Sequence, residues 1–152
     1  MKTTTAVLAA ALAMAGAASH AHADEPDYFS SPASYRSVDI EKAQEAYTCC
    51  LKGVNAGVQE SAIAHLVWLK IQRPDADLTS LRECLDRLAV SGTTTSVRYR
   101  AYMATLLLDS AGIFEGLQDE TFVTDDDLFN AMSGRLQKTL LGYSDRRYVR
   151  ER

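Results

Sequence analysis

Proline and histidine are scarce in this chain. Three prolines stand in 152 residues, at positions 26, 32 and 74, so long helical stretches run unbroken. Of three histidines only His65 lies beyond residue 23, too few for a multi-histidine metal site. Strand-like alternation is missing, which argues against a sheet-built fold. A basic excess is missing too: 16 Lys and Arg face 20 Asp and Glu, a net charge of −4. Bulk nucleic-acid binding needs a basic footprint to neutralise phosphates, so that class is set aside. No nucleophile–base set, metal cluster or phosphate loop is visible by motif, and no cofactor is expected.

What is present begins at the N-terminus. Met1-Lys2 gives a short positive start, Ala6 to Ala18 is an apolar Ala-rich run, and Ala21-His22-Ala23 offers the small residues of a cleavage site. The pattern is that of a secretory signal peptide over 1–23, too short for a membrane span. Cleavage near Ala23 would leave a periplasmic or secreted chain with a net charge of about −5. That chain suits one domain with a single core.

Cys49, Cys50 and Cys84 all fall in this mature portion. Their spacing matches no zinc or redox box. Two states stay open: a disulfide from Cys84 to Cys49 or Cys50, or thiols packed as small apolar groups.

Residues 24–36, with two prolines and three serines, read as a flexible N-terminal arm. Beyond them the pattern is helical, and the expected fold is all-α with about five helices over 37–143. Ile40, Ala43, Tyr47, Cys50 and Val54 share a face of the first, with Ser37 as its N-cap and Asn55-Ala56-Gly57 at its end. The second, from about Val58 to Gln72, turns Ala62, Ile63, Leu66 and Leu69 inward and stops before Pro74. The third opens near Asp77 and buries Leu78, Leu81, Leu85 and Leu88. The fourth opens at Thr95 and carries Val97, Ala101, Ala104 and Leu108. A loop from Ala111 to Val123 is pinned by Ile113, Phe114, Leu117 and Phe122. The last helix spans about Thr124 to Leu141, with Asp125, Asp126 and Asp127 complementing its dipole. A basic tail at 144–152 follows.

A repeat underlies this layout. Val58-Gln59-Glu60-Ser61-Ala62 returns 39 residues later as Val97-Arg98-Tyr99-Arg100-Ala101. The first and third helices align at an offset of 38, Ile40 with Leu78 and Tyr47 with Leu85. Such a period is the mark of stacked helical hairpins, each burying the face its neighbour cannot bury alone. The pattern resembles HEAT-like repeats of the armadillo-type superhelix, which carry Val-Arg-x-x-Ala at the start of each second helix. The resemblance covers about Val38 to Asp109. It implies two stacked hairpins with a C-terminal capping helix, and a protein-binding role. It also implies that Val58, Ala62, Val97 and Ala101 are inter-helix seams. The arginine would bond an acidic residue of the neighbouring unit, with Gln59 a weaker substitute. An irregular five-helix bundle is the alternative fold. Segments from Glu60 to Asp77 and Ser96 to Tyr102 also resemble small exported bacterial proteins, a likeness that carries no mechanism.

Arg98, Tyr99, Arg100 and Tyr102 gather two guanidinium groups and two phenols at one helix start. These are the side chains favoured in binding hot spots, and they form the candidate partner-binding set. The reading is therefore an exported, non-enzymatic module that binds a protein partner. A self-associating structural or stress-related envelope protein is the alternative, and a small enzyme using His65 as general base is a third. His65 and Trp68, one helical turn apart, otherwise pack as core. The three consecutive aspartates lack the spacing of an EF-hand loop, so no metal is assigned.

Overall fold

The computed structural model describes Phe29 and residues 32–150; residues 1–23, read from the sequence as a signal peptide, lie outside them. Six α-helices run in order: α1 Pro32–Arg36, α2 Ile40–Lys52, α3 Ala56–Gln72, α4 Arg82–Ser91, α5 Thr95–Asp109 and α6 Asp125–Arg150. Short 3-10 turns precede α4 at Thr79–Leu81 and follow α5 at Ala111–Phe114 and Leu117–Asp119. The described residues contain no strand, so the chain is all-α.

Local chemistry sets the helix starts. Asp39, not Ser37, caps α2 by accepting from Lys42 N at 3.2 Å, while Ser37 Oγ donates back to Ser34 O and closes α1. Asn55 opens α3 rather than ending α2, accepting from Val58 N at 3.1 Å. Thr94 Oγ1 accepts from Val97 N at 3.0 Å and opens α5. Thr124 and Asp127 form a reciprocal capping box at the start of α6: Asp127 N donates to Thr124 Oγ1, and Thr124 N to Asp127 Oδ2.

α2 packs against α3 and α4, α5 packs against α3 and α4, and α6 lies on α5 and α3. The core fills with Leu51, Ile63, Leu66, Leu69, Leu78, Leu81 and Leu85, joined by Met103, Leu117, Leu128, Phe129 and Met132. The expected apolar stripe of the third helix, Leu78 to Leu88, is buried throughout.

The 39-residue echo also appears as hydrogen bonding. Gln59 Nε2 donates to Gly53 O at 2.8 Å, and Arg98 Nη1 donates to Gly92 O at 2.8 Å. The two N-caps, Asn55 and Thr94, keep the same interval. Position 59/98 therefore ties off the C-terminus of the preceding helix in its own hairpin. Among the described residues that position makes no bond to an acidic neighbour: both donors are engaged by carbonyls one short turn away.

Gly92 is required by a close approach. A Cβ there would sit 2.6 Å from Leu88 O and 2.7 Å from Val97 Cγ1. Gly92→Ala is expected to cost about 1–3 kcal/mol in urea unfolding, as overpacking does. Gly53→Ala, whose nearest neighbour would be 3.2 Å away, should cost less.

Four expectations are corrected. Val54 is 94% exposed, because α2 ends at Lys52 and leaves it in the turn. The arm at 24–36 is not free at its inner end, since α1 forms there and Phe29 and Tyr35 are buried. The simple loop after α5 contains two 3-10 turns over buried Phe114 and Leu117. The last helix does not stop at Leu141 but continues to Arg150, through the segment read as a tail. Gly142 costs a helix only about 1 kcal/mol relative to alanine, too little to stop it.

Candidate interaction surface

The sequence nominated the start of α5, and the fold uses most of it internally. Arg100 is buried, its guanidinium paired with Asp125 and, at 2.7 Å, with Asp126 at the start of α6. The same group lies 5.2 Å from the centroid of the Phe129 ring. Burial alone would lower its pKa, but the hydrogen bonds and charges of Asp125 and Asp126 outweigh that and raise it. Tyr99 Oη donates to Phe129 O at 3.2 Å and meets Ser133 Oγ at 2.5 Å. Arg98 is occupied by Gly92 O and by Thr95 Oγ1. Tyr102 is exposed at 51% and Tyr99 at 39%. Arg100 and Tyr99 thus fasten α6 to α5.

His65 and Trp68 do share a face, as their spacing implied. Trp68 is buried between Phe29, with ring centroids 5.2 Å apart, and Phe122, edge-on at 5.6 Å. Its Nε1 has no hydrogen-bond partner among the described residues. Phe29 also meets His65 at 5.5 Å. Burial holds the His65 pKa below its usual value, against a smaller upward pull from Asp125. Neutral His65 is therefore favoured in the folded chain. Stability from this group is complete above about pH 6.5, the ordinary histidine value, and is lost as pH falls through the lowered folded value. Urea unfolding at pH 7.5 and 5.5 should show that loss, and His65→Gln should reduce it.

The cysteines are unbridged: Cys49 is exposed, Cys50 half-buried and Cys84 buried. The expected alternative of a disulfide from Cys84 to Cys49 or Cys50 is not formed; Cys49 lies on the outward side of α2 while Cys84 packs into the core. The three aspartates act as expected at a helix start, two holding Arg100 and one closing the capping box. No group of three or more His, Cys, Asp or Glu is placed to hold a metal among the described residues. No described helix is long and apolar enough to cross a membrane.

One accessible feature is a groove of about 610 Å³ between α2 and α3, with Tyr47, Cys50, Val58, Ser61 and His65 along it. Burial pushes the Tyr47 phenol up to about 12, with lesser contributions from Tyr35 and Cys50. Val58, expected as a seam, is instead 45% exposed here, while its counterpart Val97 is fully buried. The contrast extends along the whole face. Leu85, Leu88, Arg100 and Ala104, which the repeat aligns with Tyr47, Cys50, Ser61 and His65, are buried. Neighbouring helices close the second hairpin's face and leave the first hairpin's face open. Sequence reasoning missed this groove because a repeat marks equivalent positions without saying which copy stands at an end.

No family model, curated protein or solved structure matches the chain.

Proposed function

We propose that this chain is an exported, non-enzymatic helical repeat module that binds a protein partner along the α2–α3 groove. The observation that carries the reading is the unequal burial of equivalent faces, Val58 open where Val97 is closed. A stack of helical hairpins buries each unit against the next, so an unclosed unit offers a face already shaped for another helix. The paired caps and the paired bonds to Gly53 and Gly92 support HEAT-like stacking over an irregular bundle. Export is supported by the N-terminal pattern, from the basic start to the Ala21-His22-Ala23 cleavage site.

Capture of the tagged mature chain from its native periplasm or medium tests this, with Val58→Arg run alongside. A protein retained by the unaltered chain and lost from Val58→Arg is the expected result. Equal recovery on both would contradict the proposal. Self-association is a second reading, favoured by one observation: α6 carries two adjacent leucines, Leu140 and Leu141, with large exposure.

A further inference from the structure

A second cavity, of about 630 Å³, lies between the ends of α1 and α3 and the loop that follows α5. It shares no lining residue with the α2–α3 groove. Buried Ile71, Leu107 and Phe114 form its apolar floor. Charge is divided between its walls: Arg36 and Lys70 stand on the helical side, Glu115 and Asp119 on the loop side. Among the described residues no ion pair joins the two sets, and the exposed side chains of Arg36 and Glu115 make no hydrogen bond. Lys70 Nζ gives two donors to the carbonyls of Pro74, at 2.8 Å, and Ala76, at 2.7 Å, and keeps its third. Asp119 accepts from Gln118 Nε2 at 3.3 Å and retains further lone pairs.

Both walls are held from behind by arginines bonded to main-chain carbonyls. Arg73 Nη1 donates to Tyr35 O and, at 3.2 Å, to Arg36 O, which fixes the end of α1. Arg135, from α6, donates to Glu115 O and to Glu120 Oε1, each at 2.6 Å. Gly116 lets the loop turn there, since its φ is +87° and an added Cβ would meet the Arg135 guanidinium at 3.2 Å. Gln72 Nε2 donates to Gln118 O at 3.5 Å and ties the two walls along one edge. The fold therefore holds opposite charges across a gap without letting them neutralise each other. An apolar floor with a few polar groups converging on it is the usual make-up of a small-molecule site.

We propose that this cavity binds a short peptide with free termini, its carboxylate at Arg36 and Lys70 and its ammonium at Glu115 and Asp119. Arginine grips a carboxylate through two parallel bonds, and the two carboxylates across the cavity accept from an ammonium. An apolar side chain of the peptide rests on Ile71, Leu107 and Phe114. Separation of the charges selects length. A free amino acid carries both charges on one carbon and engages one wall at a time, whereas two or three extended residues span about 7–10 Å. An anion or a cation alone would satisfy one wall and leave the other uncompensated. The inference does not rest on the α2–α3 groove.

Isothermal titration of the mature chain with the tripeptide Ala-Leu-Ala tests it. Saturable binding is expected, weakened about tenfold or more when the peptide is amidated at its C-terminus or acetylated at its N-terminus. Arg36→Glu and Glu115→Lys should each weaken it comparably, and high salt should do the same. Both side chains are exposed and unbonded, so the variants keep the fold, as circular dichroism will register. The two variants carry different signatures. Arg36→Glu should shrink the difference between free and amidated peptide, and Glu115→Lys the difference between free and acetylated peptide. No binding at millimolar peptide, equal affinity for the blocked forms, or binding indifferent to both substitutions overturns the inference. So does leucine bound as tightly as the tripeptide.

Discussion

Arg100→Ala is expected to lower the unfolding free energy by about 3 kcal/mol, the largest effect of any single charged residue here. The guanidinium is nearly inaccessible, and its partners Asp125 and Asp126 open α6. Removing the cation leaves Asp125, itself mostly covered, without its counter-charge, and uncompensated buried charge is costly. Asp126 is largely exposed and contributes little by itself. The loss also loosens the docking of α6, so Tyr99 and Ser133 lose their contact in the same step. Arg100→Lys should recover only part, since an ammonium cannot span two carboxylates in one plane. Urea unfolding of the three chains decides it; a change below about 0.5 kcal/mol for alanine would remove Arg100 from its role as the clasp.

Phe29→Ala is expected to cost about 3 kcal/mol, typical of a buried phenylalanine. The ring covers Trp68 and the edge of His65, so two spectroscopic signals should move with stability. Trp68 emission should shift to longer wavelength as water reaches the indole. The His65 pKa should rise toward its ordinary value as the burial that depresses it is relieved. Normal stability with an unmoved His65 titration would mean that Phe29 does not pack there.

These two residues also mark where sequence reading stops. The all-α class, the stop before Pro74 and the buried stripe Leu78–Leu88 follow from periodicity and local chemistry, which act within a few residues. Val97 and Ala101 were legible as seams because their motif reports a short-range packing register. Arg100 was not legible as a clasp, because its partners lie 25 and 26 residues away on another helix. Phe29 was lost for the same reason: a Ser- and Pro-rich surrounding looks like an arm until a distant tryptophan is placed beneath it. Gln59 and Arg98 were read as reaching outward, whereas each turns back to a glycine carbonyl six residues earlier. Val58 shows a different limit. Its motif position matches that of Val97, and only the packing of distant helices separates the buried copy from the exposed one.

The central claim is that the open face at Val58 is where this protein meets its partner. The most direct measurement places a photoreactive side chain at position 58, with exposed Val90 on α4 as the control position. Irradiation in intact cells, followed by mass spectrometry of the adducts, reads the contact itself. The account predicts a discrete adduct at 58 and none at 90. No adduct at 58, or equal labelling at both positions, would contradict it.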